Sequence, residues 1–246
     1  MKLLLPLIFS AMAGLADAAP GDTRLGESNQ CILVIAESWT AIHGTARWFS
    51  RTERSKWLPA ADTEPVMLGM AGLAWGRGVI DHADLTGPVK REGDNKSPAG
   101  IFRLGPLFGR ATRLPGSKMR YIPVSTNFVA VDDPASQYYN QIVDRTRIAA
   151  PDWRSAESMA LPDPRYKWGI FVQHNTPPVP GAGSCIFLHV WKNSQTPTSG
   201  CTALSEEPLV QLMRWLDPAK RPLLVQLPRS IYNDVASQWG LPVLDW

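Results

Sequence analysis

The stretch Gly183-Ser184-Cys185-Ile186-Phe187-Leu188-His189-Val190-Trp191-Lys192-Asn193-Ser194-Gln195-Thr196-Pro197-Thr198-Ser199-Gly200-Cys201-Thr202-Ala203-Leu204 is the point from which the rest of this chain is read. Ser184 to Trp191 has strand length and an apolar character, and it delivers His189 to a polar loop. Strand alternation puts Cys185, Phe187, His189 and Trp191 on one face, and the wholly apolar Ile186, Leu188 and Val190 on the other, which reads as core. The loop then returns to Thr198-Ser199-Gly200-Cys201, so an imidazole and a thiol can face each other. A thiol is only a few per cent thiolate near neutral pH, so a cysteine nucleophile needs such a base beside it. Cys201 is therefore the candidate nucleophile and His189 the candidate base. Gly200 clears space for an acyl group, and the backbone N–H groups of Gly200 and Cys201 are candidates to hold an oxyanion.

On the C-terminal side, Ser205-Glu206-Glu207 predicts a helix start with a hydroxyl cap and acidic residues suited to the dipole. Leu209, Leu212, Met213 and Leu216 recur at helical spacing until Asp217-Pro218 ends the pattern. Leu223 to Leu227 reads as a strand and Ile231 to Trp239 as a short amphipathic helix. On the N-terminal side, Gly169 to His174 is a strand candidate joined to Ser184–Trp191 by a loop of three prolines and two glycines. A simple hairpin of the two places His174 near Ser184 and about 16 Å from His189, too far for a shared metal site. Cys185 and His189, four apart on one strand face, are about 13 Å apart and equally unsuited to zinc. No metal or other cofactor is expected. His174 borders the Pro-rich loop and is a weaker candidate for a substrate-binding role.

Further upstream, Cys31 to Ala36 and Thr45 to Ser50 read as antiparallel strands, and Gly69 to Gly78 is too glycine-rich for a regular helix. Lys90 to Leu104 contains Ser97-Pro98-Ala99-Gly100 ahead of Ile101-Phe102, a polar turn feeding a strand. Between about Phe108 and Lys167 the chain is polar, aromatic and Pro-rich, a length of irregular sequence that suits a lid or binding wall. Tyr121, Phe128, Tyr138, Tyr139, Trp153, Tyr166 and Trp168 supply flat surfaces there, either for a ligand or for packing beneath the loop.

Two of these motifs, in this order, resemble the landmarks of the L,D-transpeptidase catalytic domain, the YkuD-like group. Its signature is a His, an intervening loop, then Ser/Thr-His-Gly-Cys, preceded by a Gly-x-x-x-Thr/Ser-Pro-x-Gly segment before a strand. Thr198, Gly200 and Cys201 fit the first and Ser97, Pro98 and Gly100 the second. Ser199 stands where most members carry a second His, and Ala203 where many carry Arg or Asn. The resemblance covers roughly residues 30–228 and implies a mostly β, sandwich-like or partly closed fold with a few short helices, one after Cys201. Residues 229–246 form a tail packing on that domain. It implies cysteine acyl transfer on peptidoglycan peptide stems, with Cys201 attacking the amide before the terminal D-alanine and His189 as base. Hydrolysis of the same bond and a catalytically silent envelope-binding module are the alternatives. Substrate contacts fall on Ser97, Gly100, His174 and Lys192, Ser199 belongs with Gly200 to the oxyanion loop, where it is innocuous or bonds the loop, and Lys192, Arg103 or Lys96 can stand in for the motif Arg.

The N-terminus fits that compartment. Met1-Lys2, the apolar run Leu3 to Leu15 and Ala16-Asp17-Ala18 have the form of a secretory signal over residues 1–18, cleaved after Ala18 or one position later, with an uncleaved anchor as the alternative. The protein is expected in the periplasm or cell envelope, with no membrane span after cleavage. With 246 residues, 44% of them hydrophobic, the chain can bury a substantial core. A net charge of +3 without a basic block gives no reason to expect nucleic acid as a partner. Of the three cysteines, Cys31 and Cys185 are left over once Cys201 is the nucleophile, and either pair in an oxidising compartment or stay buried and reduced.

Overall fold

The computed structural model describes residues 24–52, 55–80 and 85–244; the signal expected at residues 1–18 lies outside them. In chain order the strands are β1 (Gln30–Ala36), β2 (His43–Ser50), β3 (Leu58–Pro59), β4 (Glu64–Met67), β5 (Leu73–Trp75), β6 (Ser97–Gly109) and β7 (Tyr121–Pro123). They continue with β8 (Phe128–Val131), β9 (Gln141–Asp144), β10 (Ala156–Ser158), β11 (Trp168–Val172), β12 (Phe187–Val190), β13 (Thr202–Leu204) and β14 (Leu223–Pro228). Two α-helices complete the set, α1 (Glu206–Trp215) and α2 (Arg229–Trp239).

The protein is mostly β, and its main sheet closes. Following hydrogen-bonded neighbours, the path β1-β14-β6-β11-β12-β13-β4-β2 returns to β1, because β1 pairs with β14 on one edge and β2 on the other. The expectation of a sandwich-like or partly closed sheet is thus corrected to a barrel-like one. The cause lies in β1, whose Gln30-Cys31-Ile32-Leu33-Val34-Ile35-Ala36 is buried at every position. A strand apolar on both faces accepts partners on both edges, and closure removes the unpaired edges that an open sheet leaves exposed.

Pairing in this sheet is mixed. β1–β2, β11–β12 and β6–β14 are antiparallel, whereas β1–β14 and β12–β13 run parallel. Leu73–Trp75, expected as part of a glycine-rich loop, forms β5 alongside β6, with Leu73 opposite Ser97. Helix α1 buries Leu209, Leu212 and Met213 as its spacing predicts, but Ser205 makes no side-chain cap bond. Instead the Leu209 N–H donates to the Ser205 carbonyl. Helix α2 buries Tyr232, Val235 and Trp239. The indole N–H of Trp57 donates to the Gly240 carbonyl, tying the tail to the barrel at 3.0 Å.

Two cores result. The larger takes Ile186, Leu188, Val190 and Leu204 together with β1, β6, β14 and both helices. The smaller takes the alternate face, Cys185 and Phe187, with Phe108, Ala130, Met159 and Tyr166. Its other wall is a separate three-stranded sheet, β10-β8-β9, made from the stretch read as irregular. The candidate site lies beside this second core.

Candidate functional site

β12 and β13 place the two reactive side chains. Their parallel register sets Leu188 opposite Thr202 and His189 opposite Ala203, so Cys201 sits one step before β13, level with Phe187. The Phe187 N–H donates to the Cys201 Sγ at 3.3 Å, which fixes that level directly. His189 and Cys201 are then diagonal neighbours on one sheet face, a relation that puts Cα atoms about 7–8 Å apart. Both line a cavity of about 490 Å³ together with Ser199, Gly200, Lys192 and Ala203.

The proton positions follow from the hydrogen bonds. His189 is 4% exposed, and its Nδ1 lies 2.8 Å from the Val190 carbonyl, which can only accept. Nδ1 therefore carries the hydrogen and Nε2 keeps the lone pair. The ring meets Tyr166 edge to face at 5.5 Å, so its plane is held by packing as well. Burial lowers the His189 pKa to about 4 and pushes the Cys201 thiol up to about 12, the latter opposed by the Phe187 N–H. The resting pair is neutral thiol and neutral imidazole, not thiolate and imidazolium.

The backbone of Cys201 is clamped from two directions. Its carbonyl accepts from Ser97 Oγ at 2.8 Å and from Thr198 Oγ1 at 2.6 Å. Ser97 Oγ in turn accepts from the Gly69 N–H. The next residue is pinned too: Thr202 Oγ1 donates to Gln226, whose amide donates to the Pro98 carbonyl. The two motifs, about a hundred residues apart in sequence, are thus one hydrogen-bonded unit around Cys201.

Several expected roles change. Ser97 is fully buried and positions Cys201; it does not line the cavity. Gly100 sits inside β6 at φ +137, beside the Phe102 ring, and does not line it either. The Gly200 N–H is taken by Thr198 Oγ1 at 3.1 Å, which removes it as an oxyanion donor. The Cys201 N–H has no hydrogen-bond partner among the described residues and is the donor that remains. His174 is fully buried, with Nδ1 accepting from the Arg77 N–H and Nε2 against the Ala182 carbonyl, so both nitrogens serve the loop. Of the seven aromatic residues read as a surface, only Tyr166 lines this cavity. Cys31 and Cys185 are free: Cys31 lies on β1 in the larger core and Cys185 in the loop before β12, in the smaller.

Lys90 is the cation that sequence reasoning missed. Lys192 is an exposed lining residue, Lys96 donates instead to the Ala71 carbonyl, and Arg103 lines a different cavity. Lys90 is 5% exposed and paired with Asp94. A methyl group at Gly183 would lie 3.1 Å from its Cγ, and one at Gly200 would lie 3.7 Å from its Nζ. Both glycines have positive φ, +96 and +143, so the two turns are built to let this side chain pass between them. The only sequence signal was a lysine shortly before the Ser-Pro turn.

Two outcomes follow from these contacts. Ser97→Ala is expected to leave the buried Gly69 N–H without its acceptor, costing about 1–3 kcal/mol in urea unfolding. It is also expected to slow acylation of Cys201 about 10–100-fold by loosening its backbone. Acid stability gives the second. Burial lowers His174 to about 3 and His189 to about 4 from an ordinary 6.5. Between those values the unfolded chain binds protons that the folded one refuses, so stability falls as pH drops below about 6.5. The slope approaches two protons, about 2.7 kcal/mol per pH unit near pH 5. Urea titrations at stepped pH measure it, and His174→Gln is expected to halve it.

Among the described residues no helix is long and apolar enough to cross a membrane. Compared with known proteins, the chain matches no protein-family model and no curated sequence.

Proposed function

We propose that this protein is a cysteine acyltransferase of the L,D-transpeptidase kind, acting on peptidoglycan peptide stems in the cell envelope. The observation that carries the reading is the pairing of His189 and Cys201 as diagonal neighbours on β12 and β13 within one cavity, with Nδ1–H of His189 engaged and Nε2 left as acceptor.

In this reading the neutral thiol attacks the carbonyl carbon of the residue before the terminal D-alanine. As the C–S bond forms, the Sγ proton passes to His189 Nε2 and the carbonyl oxygen becomes an oxyanion facing the Cys201 N–H. Collapse breaks the C–N bond, and the His189 proton goes to the departing amine, leaving a thioester. An acceptor amine attacks that thioester, gives a proton to His189, and the thiol is restored with it. A substrate carboxylate has the exposed Lys192 as its cation in place of the motif Arg, since Lys90 is engaged by Asp94. Coupling proton transfer to attack suits a dry site in which neither group is charged at rest.

Mass spectrometry of products from purified muropeptides tests the reading. Cross-linked dimers are the expected product, free shortened monomers would assign hydrolysis to the same site, and unchanged muropeptides would overturn both.

A further inference from the structure

Charge accounting inside the cavity exposes a second feature. Two of its three basic residues are satisfied from outside the lining, Lys90 by Asp94 and Arg165 by both oxygens of Asp163 at 2.8–3.0 Å, and the third, Lys192, is exposed at the rim. The three acids of the lining, Glu92, Asp132 and Glu157, form no ion pair among the described residues. Glu92 accepts from the Tyr139 hydroxyl and Glu157 from the Tyr166 hydroxyl, each through one oxygen. Asp132 Oδ1 is buried with no hydrogen-bond partner. Ser184 Oγ, on a residue only 8% exposed that lines the same cavity, is also buried and without one. Unpaired buried acceptors of this kind are costly unless a ligand completes them.

We propose that Asp132, Glu157 and Glu92, with Ser184, form an ammonium subsite that holds a primary amine group of the peptide substrate beside Cys201. The three carboxylates come from separate elements: the turn before β6, the residue after β8, and β10. A primary ammonium is a compact charge with three donors, which matches acceptors arriving from different directions better than the planar fork of a guanidinium. Burial raises the Glu157 pKa, opposed by the Tyr166 hydroxyl and the Arg165 charge, and Asp132 adds a smaller push upward. Lysine-like and diamino-acid side chains carry such a group.

The substrate's identity rests on the reading above, but the subsite itself is tested without chemistry. Calorimetric titration of the full-length Cys201→Ala protein with N-acetyl-Ala-Lys-Ala and N-acetyl-Ala-norleucine-Ala compares two peptides of one shape, of which only the first carries a primary ammonium. The expected result is at least tenfold tighter binding of the lysine peptide, falling to within twofold in an added Asp132→Asn or Glu157→Gln substitution. Equal binding of the two peptides, no binding of either, or a preference that survives both substitutions overturns the subsite. Should one substitution prevent folding, the other carries the comparison. Loss of the subsite leaves acylation of Cys201 standing, and absence of acylation leaves the charge preference standing, so the two failures are distinguishable.

Discussion

Cys201→Ala is expected to lower turnover of peptide stems by about 10⁴–10⁶-fold, the range seen when a covalent nucleophile is deleted. The fold should survive, because the half-buried thiol contributes little beyond accepting the Phe187 N–H, donating to the Cys185 carbonyl at 3.6 Å and packing against the second core. Losing that acceptor costs about 1–2 kcal/mol, small against the stability of a chain this size. Circular dichroism and urea unfolding of the variant establish that the fold is kept, and product formation measures the loss. Cys185→Ala serves as the control. Its thiol donates to the Val131 carbonyl at 3.3 Å and burial raises its pKa well above the ordinary value. A residue so engaged belongs to the second core, and its removal should change turnover only a few-fold.

His189→Gln is the second large effect, an expected fall of about 10²–10⁴-fold for loss of a general base. Glutamine is polar and near in size, so the Val190 contact and the packing against Tyr166 are largely kept while the basic nitrogen is lost. His174→Gln separates catalysis from architecture. Both nitrogens of His174 bond to backbone, and its ring stacks edge to face on Phe102 at 5.9 Å. Its replacement should lower stability while the folded fraction turns over at nearly the original rate. Single-turnover acylation kinetics on the two variants, each normalised to folded protein, distinguish the roles.

These expectations show which features were legible in the sequence. The strand expected over Ser184–Trp191 shortens to Phe187–Val190, where alternation sorts Leu188 and Val190 from Phe187 as read; Cys185, at φ +53, and Ile186 reach their two cores from the loop before it. The apolar periodicity of α1 and the run at β1 were equally plain. Closure of the barrel was not, because it depends on which edges meet, a long-range choice that periodicity within one strand does not encode. The wall sheet β10-β8-β9 was hidden for a related reason: its strands are three or four residues long and bounded by prolines and turns.

The site divides in the same way. That Cys201 and His189 come to one cavity was readable because the polar loop between them joins two strands, which pair side by side. Ser97 was singled out correctly but given the wrong task, since its partner, the Cys201 carbonyl, is a backbone atom with no sequence signature. The same applies to Gly200, whose N–H is consumed by the Thr198 hydroxyl. Lys90, Glu92, Asp132 and Glu157 read as ordinary charged residues until folding brought them to one cavity. Charge is neutral as to position in a sequence; only the pairing of Lys90 with Asp94 and Arg165 with Asp163 reveals which charges remain unmatched.

The central claim is that Cys201, assisted by His189, forms an acyl-enzyme. Peptide mapping by mass spectrometry after exposure to a carbapenem, an acylating mimic of the stem terminus, tests it most directly. A single covalent adduct is expected on the peptide containing Cys201, absent from Cys201→Ala and formed far more slowly by His189→Gln. A folded protein that forms no adduct, or one whose adduct lies on Cys185 or Cys31, would contradict it.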